Sequence, residues 1–141
     1  MLKMTGISHC YGEHKVLKKM TLTVSPGQRI AIVGPTGAGK TTVIKGLISI
    51  FDTIGLDVAL CAPTGRAAKR LSEATSMEAK TIHRLLEMGY DPDGRAVFNR
   101  NDFDLLDEQI IIVDEASMID ITLMQALAGN PAYPRNDGLA P

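Results

Sequence analysis

Short apolar runs of strand length alternate along the chain with stretches whose apolar positions recur every three or four residues. That alternation predicts βα units around a mainly parallel sheet, an α/β fold. At the start, LKMTGISH and KKMTLTVS read as two strands joined across Tyr11 and Gly12. On the second, Thr21, Thr23 and Ser25 alternate with Leu22 and Val24, as on a half-exposed hairpin. SPGQ at 25–28 is a turn. RIAIVG after it is a nearly unbroken apolar run, the pattern of a strand buried on both faces of a parallel sheet. From Lys40 to about Thr53, the apolar positions Val43, Ile44, Leu47, Ile48 and Phe51 mark a helix, with Gly55 as its C-cap.

LDVALCA is the next buried strand. PTGRAAKRLSEA opens on Pro63 and Thr64 and makes a short amphipathic helix, with Ala67, Leu71 and Ala74 on one face and Arg66, Lys69, Arg70 and Glu73 mostly on the other. AKTIHRLLEM is expected to be a second helix, with Thr81 near its start, and the turn-rich GYDPDGRAVFNRND an excursion on the surface. EQIIIVDEAS is a buried strand that ends in Asp114 and Glu115, and MIDITLMQALA continues it as a helix. From residue 129 onward, three prolines and little apolar content predict a tail. The expected organisation is one domain over residues 1–128 and a tail over 129–141.

At 141 residues and 45% hydrophobic, the chain is long enough for one domain with a core of its own. Its apolar runs are far shorter than the ~20 residues a membrane helix needs, and no signal peptide is evident, so no membrane insertion and a cytoplasmic location are expected. Cys10 and Cys61 have no metal-type spacing and are expected to be packing residues. The net charge of −1 conceals a gradient: residues 1–45 sum to +6, 46–86 to +1 and 87–141 to −8. A basic first third suits a phosphate ligand, whereas the total argues against a broad nucleic-acid surface and leaves room for a local strand contact.

The chemistry concentrates at two places. Gly34, Pro35, Thr36, Gly37, Ala38, Gly39, Lys40 and Thr41, followed by Thr42, match G-x-x-x-x-G-K-[ST] between a predicted strand and a predicted helix. Glycines at 34, 37 and 39 let backbone N–H groups curl toward a phosphate, with the positive end of the helix behind them. Lys40 would reach the β and γ phosphates of ATP, and the Thr41 hydroxyl would bind Mg²⁺. Asp114 is the candidate second magnesium ligand, at the end of its strand. Glu115 is placed to orient and deprotonate an attacking water, so that Glu115 and Lys40 are the candidate catalytic residues. The plainer alternative for the acid pair is two solvated carboxylates beside a helix N-terminus.

Elsewhere the plain readings prevail. Met118, Leu123, Met124 and Leu127 are read as helix core, and His83 as a core or surface histidine. His9 and His14 flank a turn with no ligand geometry. Arg66, Lys69 and Arg70 form a small basic face, either solvated or in contact with nucleic-acid phosphates.

Two resemblances meet at the glycine-rich loop. Residues 1–43, with paired strands, the Tyr11-Gly12 turn and GPTGAGKTT, resemble the amino-terminal part of an ABC-transporter ATPase. That resemblance implies that Tyr11 stacks on adenine and that two copies of the chain can pair as a dimer. Residues 44–128, through APTGRAAKRLSEAT, KTIHRLLE, DPDGR and IIIVDEASMID, resemble the first motor domain of RecD-like superfamily 1 DNA helicases. This second likeness implies a three-layer P-loop NTPase core of the RecA type, and makes residues 63–70 helicase motif Ia and Asp114-Glu115 motif II. Thr64, Arg66, Arg70 and His83 then become candidate contacts to single-stranded DNA.

Neither resemblance is followed through. No LSGGQ-type signature or switch histidine follows the ABC-like start. No GDxxQLP-type motif, second motor domain or arginine-finger motif follows the helicase-like part. In this fold class the strand after the Walker-B strand normally inserts beside it, so a gap in the sheet is expected, to be closed by the tail, by the hairpin or by a second copy of the chain. A recombined or designed chimera joined at the shared loop accounts for the pattern, and a truncated or misassembled reading frame stands beside it. The expected function is Mg²⁺-dependent ATP and ADP binding with at most weak ATPase activity. The alternatives are a DNA-binding helicase fragment and an ABC-type half-site that acts as a homodimer.

Overall fold

The computed structural model describes residues 2–25, 28, 30, 39–101 and 103–129. The expected strand over 29–34, the loop residues 34–38 and the tail over 130–141 therefore lie outside the described residues, apart from Ile30. The chain divides into two compact units, Met1–Gly55 and Leu56–Pro141.

The first unit opens with the predicted hairpin. β1 (Leu2–Tyr11) pairs antiparallel with β2 (His14–Val24), from Leu2 opposite Val24 to Tyr11 opposite His14, with irregularities in register on the way. Gly12 turns the chain at φ 57°, a left-handed conformation in which a Cβ would be strained. Thr21, Thr23 and Ser25 are exposed and Leu22 and Val24 half-buried, as the alternation required. The turn after β2 closes through Gln28 N–H to the Ser25 carbonyl at 2.9 Å, and the Gln28 side chain accepts from Ser25 N–H at 2.8 Å. α1 (Lys40–Thr53) then buries Ile44, Leu47 and Phe51 on one stripe and lies against β2. Its C-cap is Ile54, and Gly55 follows at φ 71°.

The second unit is built on β3 (Val58–Ala62), every residue of which is buried. β3 is the middle strand of a parallel sheet, between β4 (Ala79–Thr81) and β7 (Ile110–Val113). Val58 to Cys61 align with Ile110 to Val113, and Leu60 to Ala62 with Ala79 to Thr81. Buried on both faces, such a strand must be apolar throughout, which is why Val-Ala-Leu-Cys-Ala shows no alternation. Its alternate residues Ala59 and Cys61 enter a cluster with Ile82, Leu85, Leu86, Leu106, Leu123 and Leu127. Burial pushes the Cys61 thiol up to about 12, so it is a packing residue and not a nucleophile. Cys10, expected to pack as well, is exposed on the hairpin.

α2 (Gly65–Thr75) packs on β3 and β4 through Ala68 and Leu71. The segment read as a second helix divides instead: Ala79–Thr81 is strand β4, and the helix is the single turn α3 (Ile82–Leu85), capped where Thr81 Oγ1 accepts from Arg84 N–H at 3.2 Å. The surface excursion contains a small antiparallel hairpin, β5 (Met88–Tyr90) with β6 (Ala96–Phe98). Arg100 ties its base, donating to Glu87 Oε1 at 3.0 Å, to Asp104 Oδ1 at 3.2 Å and to the Leu105 carbonyl at 3.2 Å. The Glu87 hydrogen bond, then the Asp104 charge, hold the guanidinium pKa above its usual value.

After β7 the chain makes a 3₁₀ turn at Ala116–Met118 before α4 (Ile121–Gly129), so the helix expected from Met118 starts later. Asp120 Oδ1 caps α4 by accepting from Leu123 N–H at 2.7 Å. Leu123 and Leu127 are core as expected, whereas Met118 and Met124 are exposed at 61% and 38%. Among the described residues β7 pairs with β3 alone, and no helix is long and apolar enough to cross a membrane.

Leu86 is fully buried in the second unit's cluster, while Phe103 is fully exposed. Leu86→Ala should therefore lose about 2–5 kcal/mol in urea unfolding. Phe103→Ala should stay within about 0.5 kcal/mol of the parent. Equal losses would refute this placement of the core.

Candidate functional site

β3 and β7 run parallel, so their carboxyl ends lie side by side, and ligands of open α/β sheets bind at such ends. The chain leaves β3 through Pro63 into Thr64, whose extended backbone (φ −123°, ψ 152°) and side chain begin α2; Thr64 Oγ1 accepts from Ala67 N–H at 3.2 Å. The cap fixes the first turn of α2 and with it Arg66. Arg70 follows at i+4, on the same side of the helix.

The neighbouring strand ends on Asp114, whose N–H donates to the Cys61 carbonyl at 2.9 Å, carrying the β3–β7 ladder one residue past β7. Asp114 Oδ1 in turn accepts from Glu115 N–H at 3.0 Å. Glu115 is left-handed at φ 55°, a costly conformation for a residue with a side chain, and it starts the 3₁₀ turn in which Met118 N–H donates to the Glu115 carbonyl at 3.0 Å. Together these two strand ends enclose a cleft of about 290 Å³. Thr64, Arg66, Ala67 and Arg70 form one wall, and Asp114, Glu115 and Met118 the other.

Several sequence-predicted residues thus come together: Thr64, Arg66 and Arg70 share one cleft with Asp114 and Glu115. His83 does not line it. It sits exposed on α3, its ring 6.4 Å from that of Phe98 and tilted by 38°. Met118 and Ala67 were assigned to apolar faces, yet both line the cleft. For Met118 no signal in the spacing could have shown this, because the left-handed turn at Glu115 that redirects it is not encoded by a glycine.

In the first unit, Gly39 is left-handed (φ 80°, ψ 21°) immediately before Lys40 opens α1, and no side chain caps that helix start. Its carbonyl accepts from Val43 N–H at 3.0 Å. A helix N-terminus reached through a left-handed glycine is a common setting for an anion. Lys40, Thr41 and Thr42 are half-buried in the first turn. Gly34, Pro35, Thr36, Gly37 and Ala38, and the side chain of Tyr11, lie outside the described residues.

A parallel sheet with an acid pair at a strand end, and a G-x-x-x-x-G-K-[ST] segment that opens a helix, define a P-loop NTPase-type domain. Comparison with known proteins agrees: residues 18–136 match the AAA domain family, and the chain belongs to that family. The chain is 43% identical over 102 residues to the ATP-dependent RecD2 DNA helicase of Deinococcus radiodurans, covering 72% of this chain and 14% of that protein. It is 37% identical over 101 residues to the ATP-dependent DNA helicase dda of Enterobacteria phage T4, covering 70% and 23% respectively. It is also 28% identical over 149 aligned residues to the zinc import ATP-binding protein ZnuC of Hydrogenovibrio crunogenus, covering 93% and 57%. Similarity to helicases and to ABC ATPases in one chain supports the composite resemblance. The chain spans less than two thirds of the length of each of these relatives, and under a quarter of the two helicases.

Proposed function

We propose that the chain is a Mg²⁺-dependent ATP-binding domain with at most weak ATPase activity, and that residues 1–128 act together as one NTPase domain. The observation that carries this reading is the start of α1, where a left-handed Gly39 leads directly into Lys40 and Thr41. In this reading the backbone N–H groups of 34–42 cradle the phosphates, Lys40 neutralises the β and γ oxygens, and Tyr11 supports the adenine ring.

Among the described residues there is no cluster of three or more His, Cys, Asp or Glu that could hold a metal ion by itself. Magnesium takes one or two protein oxygens and completes its shell with substrate phosphates and water. Thr41 and Asp114 are the residues that would hold it, and when bound it neutralises charge on the phosphates. Glu115, exposed beside Asp114, would accept the proton of a water whose oxygen attacks the γ phosphorus as the bond to the leaving ADP oxygen breaks. Turnover by this chain alone should be slow, because in such enzymes a separately supplied arginine is worth about 10³–10⁵ in rate.

A second reading, binding to single-stranded DNA, is favoured by one observation. Arg66 and Arg70 are exposed and line the same cleft, with Thr64 beside them, and His83 is exposed on α3. A chimeric origin remains a proposal that fits the two sets of relatives.

Lys40→Ala should abolish the heat of ATP binding in titration calorimetry; binding of unchanged affinity would refute the nucleotide site. Glu115→Gln should retain ATP binding while phosphate release falls by about 10²–10⁴-fold, the usual worth of a general base. Equal turnover in the two proteins would remove Glu115 from the reaction.

A further inference from the structure

The cleft at the carboxyl ends of β3 and β7 holds opposite charges that do not neutralise one another. Arg66 and Arg70 stand on one wall, Asp114 and Glu115 on the other. Among the described residues, the ion pairs are Lys69 with Glu73 and Arg100 with Glu87 and Asp104, and none joins the two walls of the cleft. Among the described residues, the hydrogen bond to a carboxylate of the acid wall is the local one from Glu115 N–H to Asp114 Oδ1. The guanidiniums are therefore presented to a ligand, with two negative charges facing the same volume.

A phosphodiester group entering that volume meets attraction from one wall and repulsion from the other. The balance turns on the charge of the acid wall, since charges sharing one cleft interact over distances within the screening length. We propose that a divalent cation held at Asp114, beside Glu115, gates the affinity of Arg66 and Arg70 for the phosphates of a single strand. Without the cation the two carboxylates oppose the strand; with it their charge is neutralised, and the attraction of the guanidiniums is no longer opposed. The inference rests on the reading of Asp114 as a metal ligand. It predicts the reverse of ordinary behaviour, because divalent cations normally compete with a protein for nucleic-acid phosphates and weaken binding.

The test is fluorescence anisotropy of a labelled oligothymidylate on the whole chain without nucleotide, at low salt, with and without Mg²⁺ at constant ionic strength. Mg²⁺ should tighten wild-type binding by about three- to tenfold, the size expected of partly exposed charges. Asp114→Asn should bind the strand more tightly than wild type without Mg²⁺ and lose the response to it. Its backbone N–H bond to Cys61 is untouched by the substitution. Glu115→Gln, a second variant for the event that the first misfolds, should show a reduced response in the same direction, and Arg66→Gln with Arg70→Gln should weaken binding under both conditions. Weakening of the wild type by Mg²⁺, an identical response in the acid variants, or no binding at low salt would each overturn the proposal. Calorimetry of Mg²⁺ and ATP on the same preparation separates the two readings. ATP binding without a metal-tightened strand contact sinks the gate alone, and the converse sinks the nucleotide assignment alone.

Discussion

The pairing of β3 with β7 is the constraint from which the second unit follows. Val58 to Cys61 and Ile110 to Val113 share a parallel ladder, and Asp57 closes its lower end, where its carbonyl accepts from Gln109 and Ile110 N–H at 3.1 Å and its N–H donates to Gln109 Oε1 at 2.7 Å. At the upper end Asp114 N–H bonds to the Cys61 carbonyl. Because each residue of β3 is buried, its backbone groups have no water to fall back on, and leaving one unpaired would cost about 1–3 kcal/mol. The ladder thus fixes the register of Asp114 as firmly as the core fixes β3. Slippage by one residue would reverse the face of every side chain in a strand.

From that register the cleft follows. Parallel strands release their chains at the same edge, so the turn into α2 and the turn after Asp114 must be neighbours. Thr64 caps one and Glu115 bends the other, and the left-handed backbone of Glu115 is a departure from relaxed geometry that falls at the cleft. Departures of this kind occur where surrounding structure over-determines the backbone, and they gather at functional sites.

Much of this was legible in the residues because the strongest signals are local. β3 and β7 appear as unbroken apolar runs, α1 and α2 as helical periods, and the start of α2 as a capping threonine before a polar and apolar stripe. β4 was not legible. Ala79-Lys80-Thr81 precedes Ile82, Leu85 and Leu86 at helical spacing, and only pairing with Leu60 to Ala62, a contact distant in sequence, makes it a strand. β5 and β6 were hidden likewise, since three-residue strands around Asp-Pro-Asp-Gly are set by the turn more than by apolar alternation. Met118 was misplaced for a third reason: its neighbours Leu123 and Leu127 do form a core stripe, but the bend at Glu115 and the 3₁₀ turn put Met118 out of phase with them. The candidate site divides in the same way. Its residue types and order along the chain could be read, while the sharing of one cleft by arginines and acids needed the three-dimensional register.

The proposed nucleotide site stands or falls with Lys40, which opens α1. The most direct measurement is a crystal structure of the chain with a non-hydrolysable ATP analogue and Mg²⁺. The γ phosphate of the analogue is expected at the Lys40 ammonium. An analogue seated away from Lys40 would contradict the proposal.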